Sequence, residues 1–141
     1  MSRNRDSAKR AGARFEQLVA TYLNQHVDDR IERRKTNGAK DRGDIAGLRV
    51  WAGERVVLEC KDRATPSVGT WLNEAETERG NDDAIAGVVA YKRRGNANPG
   101  DQLIVMTLRD FAAILTGERP CDDTPTRLKQ ADQPQTDERR K

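Results

Sequence analysis

The feature that most constrains this chain is an apolar run that ends in charge. Val56-Val57-Leu58 leads directly into Glu59-Cys60-Lys61. Three consecutive aliphatic residues suit a strand covered on both faces. Glu59 and Lys61 are two apart, so on a strand they leave the same face. Charges at the end of a covered strand are costly unless they are paired or ligated. A second acidic group, Asp44, opens the preceding apolar run in Gly43-Asp44-Ile45-Ala46-Gly47. Two carboxylates and a lysine on adjacent strands can hold a divalent metal and a phosphate.

The surrounding pattern alternates helix and strand. Ala11, Phe15, Leu18, Val19, Tyr22 and Leu23 recur at three and four, which predicts an amphipathic helix over 8–25. Glu16 lies at the border of that stripe, either as a surface charge paired with an arginine or as a carboxylate aimed at the site. Residues 30–36 read as a short edge strand and 37–43 as a polar loop. Residues 44–51 and 54–61 read as a hairpin turned at Ala52-Gly53. A helix is expected over 70–79, with Trp71, Leu72 and Ala75 inward and Gly80 as its stop. Strands follow over 87–93 and 102–107, both with apolar centres. A last helix over 108–115 places Phe111, Ile114 and Leu115 inward, stopped by Gly117. Trp51, Trp71 and Phe111 are expected in the core. The order is that of an α/β domain with a central mixed sheet of about five strands flanked by helices.

Composition sets the limits of the domain. Apolar and charged residues each make up 35% of the 141 residues, too polar a balance for the whole chain to pack. Residues 1–7 read as a flexible basic start, 8–117 as the domain, and 118–141 as a disordered charged tail. No apolar run approaches a membrane span and no leader pattern opens the chain, so no membrane partner is expected. Cys60 and Cys121 lie in unlike contexts, which argues against a disulfide and for a reducing, cytoplasmic setting. His26 is the only histidine, so Cys/His zinc sites lack ligands, and no P-loop run is present.

The net charge is only +3, but its distribution is uneven. Arg10 and Arg14 belong to a basic cluster at the start that also holds Arg3, Arg5 and Lys9. Arg33, Lys35, Lys40 and Arg42 crowd the approach to Asp44, and Lys92 and Arg93 follow a predicted strand. Clusters of this kind suit phosphate contact, or form a solvated surface.

Asp44, then Glu59-Cys60-Lys61 on the next strand, with Glu16 on the preceding helix, resembles the PD-(D/E)XK nuclease superfamily. Within it the chain looks most like the small archaeal-type Holliday junction resolvases and their phage relatives. The resemblance covers residues 8–115 in element order, and departs where Gly43 stands in place of the usual proline. It implies a restriction-endonuclease-like core and a metal-dependent endonuclease with Glu16, Asp44, Glu59 and Lys61 as catalytic residues. Mg²⁺, with Mn²⁺ as a substitute, would be held by Asp44, Glu59 and the Cys60 carbonyl, and Glu16 would hold a second metal or a metal-bound water. All-oxygen donors fit those ions. The implied partner is branched or four-way DNA cut by a homodimer, in the cytoplasm, or in a host's cytoplasm for a phage-encoded chain. Duplex nicking or restriction-like cleavage, a non-catalytic DNA-binding module of the same fold, and purely structural ion pairs are the alternatives.

Overall fold

The computed structural model describes residues 4–35 and 40–121. Helix α1 (Arg5–His26) is followed by strands β1 (Glu32–Arg33), β2 (Ile45–Ala46) and β3 (Val56–Lys61). Helix α2 (Val68–Asn81), strand β4 (Ala86–Tyr91), a 3₁₀ turn (Pro99–Asp101), strand β5 (Leu103–Val105) and helix α3 (Leu108–Thr116) complete the order. The chain is α/β as expected, but the strands do not form one five-stranded sheet. β1 and β2 make a two-stranded antiparallel sheet, and β3, β4 and β5 a three-stranded mixed sheet. β3 runs parallel to β4, and β4 antiparallel to β5. Main-chain bonds from Asp44 N–H to Leu58 O and from Val56 N–H to Leu48 O join the two sheets.

Alternation along the strands sorts the core into two layers. Leu58, Val88 and Ala90 pack with Phe15, Val19, Ala20, Ile31 and Ile45 on the α1 side. Val89 packs with Trp71 and Ala75 on the α2 side. Gly87 permits the close approach of α2 to β4, because a Cβ there would sit 2.6 Å from the Ala75 carbonyl oxygen. Each large side chain buried in these layers contributes roughly 1.5–3 kcal/mol through area removed from water.

Several boundaries differ from the sequence expectation for identifiable reasons. α1 begins at Arg5 rather than near residue 8, because the Asn4 side chain accepts the Ser7 N–H at 2.8 Å and caps it. Residues 5–7 therefore belong to the folded helix, with Asn4 as its cap; 1–3 lie outside the described residues. α2 runs through Gly80 to Asn81 rather than stopping at the glycine. The expected strand over 44–51 is reduced to Ile45–Ala46, and the hairpin continues only as main-chain bonds and an isolated bridge between Arg49 and Arg55.

The far end of the sheet is less covered than expected. Leu103 and Ile104 on β5 are 43% and 50% exposed, and Phe111 and Leu115 on α3 are 48% and 63% exposed. α3 instead turns Asp110 and Ala113 inward, with Ile114 half-buried against the core. Trp71 is buried, whereas Trp51 stands at the surface. The stop at Gly117 is as expected, in the left-handed conformation at φ +79°. The segment read as a tail also begins too early. Arg119 donates to the Ile85 carbonyl at 2.8 Å and to Asp110 at 2.6 Å, and it meets Glu76 at 3.0 Å. Residues 122–141 lie outside the described residues.

Candidate functional site

The end of β3 opens into a cavity of about 720 Å³. Asp44, Glu59, Cys60 and Lys61 line it from the sheet and Glu16 lines it from α1. The side chains of Glu16, Asp44, Glu59 and Lys61, read from the sequence as candidates, therefore come together at one opening. Arg5, Lys9 and Arg63 stand on its rim.

Local structure sets each group. Asp44 follows Gly43, whose φ of +85° is closed to proline. A Cβ on Gly43 would also lie 2.9 Å from the Leu58 carbonyl oxygen. Glycine at this position thus has a backbone reason: the chain enters the site through a left-handed turn, held by the Gly43 N–H on Asp41 Oδ1 at 3.0 Å. Asp44 Oδ2 then accepts the Cys60 N–H at 2.7 Å. In an extended strand a residue's N–H and C=O point to the same side, so the Cys60 carbonyl also lies on the Asp44 edge. The Cys60 thiol faces the α1 core layer, and burial, followed by the nearby carboxylates, pushes its pKa up.

The ammonium of Lys61 lies 3.1 Å from Glu59 Oε1 and 2.6 Å from Glu74 Oε2 on α2. Burial works against its charge, but the hydrogen bond to Glu74 and the charge and hydrogen bond of Glu59 outweigh it and leave its pKa raised. Glu59 Oε2 is buried with no hydrogen-bond partner. Burial pushes the Asp44 carboxyl up to about 7, with the Glu59 charge adding to it, the Cys60 N–H opposing it and the Glu16 charge adding again. A half-buried carboxylate pair with one buried, orphaned oxygen and all-oxygen donors fits a hard divalent cation.

The other sequence candidates divide. Glu16 lines the cavity and is also paired with Arg33 at 2.6 Å. Arg33 is correspondingly engaged. Lys92 and Arg94 reach Asp62, whose side chain is buried in the cavity wall, at 3.6 Å and 3.0 Å. Arg93 donates to the Asp101 carbonyl at 3.3 Å. Lys35, Lys40 and Arg42 are exposed. Arg10 and Arg14 are exposed too, but they do not line the cavity. Their neighbours Arg5 and Lys9 do, because positions 5, 9, 12 and 16 share one face of α1. The sequence reading assigned no role to Glu74, Glu78, Asp62 or Arg63. One signal was present: Glu78 falls on the Trp71–Ala75 stripe of α2, as Glu16 borders that of α1.

The metal-free protein should lose stability as pH rises. Burial and the Glu59 charge also push the Glu78 carboxyl up, to about 9, with the Asp41 and Asp44 charges adding to it. Asp44 and Glu78 thus bind protons more tightly folded than unfolded. Their contribution is complete below about pH 4 and is lost as pH climbs through about 7 and then about 9. Thermal melts in chelator should show a lower midpoint at about pH 9 than at about pH 5. A midpoint that rises over this interval would contradict the assignment.

Comparison with family models, with curated proteins and with solved structures finds no match to this chain.

Proposed function

We propose that the chain is a metal-dependent endodeoxyribonuclease of the PD-(D/E)XK kind, cutting branched DNA, with a four-way junction as the best substrate. The observation that carries this reading is the convergence of Asp44, Glu59, Lys61 and Glu16 on one basic-rimmed cavity, with a Glu59 oxygen left unpaired.

In this reading Asp44, Glu59 and the Cys60 carbonyl would hold Mg²⁺ or Mn²⁺, and Glu16 would serve a second ion or a water beside it. A bound cation supplies charge stabilisation at the scissile phosphate and lowers the pKa of a water. Lys61, kept cationic by Glu59 and Glu74, orients the attacking water and offsets charge on the phosphate. The water gives up a proton to solvent as its oxygen bonds to phosphorus, the bond to the leaving sugar oxygen breaks, and that oxygen takes up a proton from solvent. Arg5, Lys9 and Arg63 grip flanking phosphates, with Lys40 and Arg42 extending the basic surface. Contacts of this type position a duplex without reading its sequence, which suits recognition by shape.

Two symmetric cuts need two sites, hence a twofold dimer. The exposed apolar residues Leu103, Ile104, Leu108, Phe111 and Leu115 on β5 and α3 fit such an interface. Among the described residues no helix is long and apolar enough to cross a membrane.

The test uses end-labelled four-way junction, linear duplex and flap, each with Mg²⁺, Mn²⁺ or chelator. Paired incisions at the junction that need the metal and weaken steeply with salt are expected. Preference for linear duplex would favour the nicking alternative, and binding without incision in either metal the non-catalytic one.

A further inference from the structure

Behind the cavity, on the α2 side of β3, three carboxylates converge. One oxygen each from Asp41, Glu59 and Glu78 lies within 4.8 Å of the others. They come from separate parts of the chain. Glu59 leaves β3 on the face that carries Val57, and Glu78 shares the inward stripe of α2 with Trp71 and Ala75. Asp41 is fixed at the loop by Asn81 at the end of α2, whose amide donates to the Asp41 carbonyl at 2.8 Å.

A second observation separates this cluster from an ordinary acidic patch. Glu78 is only 5% exposed, and its Oε2 is buried with no hydrogen-bond partner. Glu59 Oε2 is in the same condition. Lys61 serves the other oxygen of Glu59, at 3.1 Å, and no ion pair to Glu78 is present among the described residues. A carboxylate that far from water, beside two others, needs a proton or a cation. Glu78 and Asp41 do not line the catalytic cavity, so Glu59 is the wall between two compartments. Asp41 is exposed and gives an ion its way in.

We propose that Asp41, Glu59 and Glu78 form a divalent-cation site distinct from the one in the cavity, with Glu59 common to both. Its three carboxylate oxygens suit a hard ion such as Mg²⁺, Mn²⁺ or Ca²⁺, with water completing the shell. Bound there, the ion relieves the repulsion between Glu59 and Glu78 and joins α2 and the Asp41 loop to β3. The proposal rests on the nuclease reading only through the shared Glu59; the ion in this second site touches no DNA and acts by positioning Glu59.

The test is Mn²⁺ binding to the full chain without DNA, by calorimetry and by the thermal midpoint, in wild type, Glu78→Gln, Asp41→Asn and Asp44→Asn. The expected result is that Glu78→Gln and Asp41→Asn lose one binding event, with affinity down at least about tenfold. Asp44→Asn should keep that event and its Mn²⁺-dependent rise in midpoint. Glu78→Gln should also raise the metal-free midpoint, because a buried amide needs neither a proton nor a cation to stay neutral. If Glu78→Gln raises that midpoint yet binds Mn²⁺ as wild type does, the pair shares a proton and the proposal is overturned. A single wild-type event that survives Glu78→Gln but not Asp44→Asn also overturns it and leaves the nuclease reading standing. A single event with the opposite dependence upholds this site and removes the cavity metal.

Discussion

Asp44→Asn and Glu59→Gln should each abolish metal-dependent junction cleavage, by at least about 1,000-fold, equivalent to roughly 4 kcal/mol of barrier. The side chains keep their shape in both variants, but each removes one anionic donor from the same cavity. Asp44→Asn also takes a charge from a group that burial already pushes up to about 7, so the metal-free protein should melt higher than wild type. Loss of activity with a gain in stability is the signature that separates a functional site from a structural one. Lys61→Ala should lose activity while still binding metal, since its ammonium touches Glu59 and Glu74 and ligates nothing. Measured rates within about tenfold of wild type for Asp44→Asn would remove the nuclease reading. A cleavage-dead Asp44→Asn that also melts lower than wild type would mean that the aspartate is structural first.

The second large effect is expected far from the cavity. Arg119→Ala should cost about 3 kcal/mol of stability, the scale of breaking a buried pair by removing one partner. Asp110 is 3% exposed and accepts from Gly87 N–H at 3.2 Å, Thr107 Oγ1 at 2.7 Å and Arg119 at 2.6 Å. Arg119 also holds the Ile85 carbonyl and Glu76. One side chain thus joins α3, the start of β4 and α2. Without it the Asp110 carboxylate keeps its burial and loses its cation. A chain ended at Gly117 should lose at least as much. Urea unfolding reads the effect as a shift in midpoint, and a change below about 1 kcal/mol would place Arg119 among ordinary surface pairs.

Local periodicity carried much of the architecture. The apolar spacing of α1, the aliphatic runs of β3 and β4 and the glycine after α3 are properties of neighbouring residues, and their elements lie close to where the pattern placed them. Glu59 and Lys61 share a face because strand geometry demands it, and Asp44 meets β3 because its run pairs there. Apolar runs misled where coverage depends on other elements. Leu103, Ile104, Phe111 and Leu115 look like core, but among the described residues nothing covers that end of the sheet. The buried places on α3 went to Asp110 and Ala113. Arg119 looked like tail because its composition is that of a tail, yet its partners stand 9, 34 and 43 residues away.

The sequence by itself determined which side chains stand at the opening of this cavity: Asp44 and Glu59-Cys60-Lys61 at neighbouring strand ends, with Glu16 one helix earlier. Only the tertiary structure decided what surrounds Glu59. It set Glu74 on Lys61, brought Glu78 and Asp41 against the far side of Glu59, and put Arg5 and Lys9 rather than Arg10 and Arg14 on the cavity rim. The reason is physical. A strand's period of two fixes which side chains share a face, but burial and charge depend on which helix packs on that face. That packing brings together groups whose separation along the chain leaves no local trace.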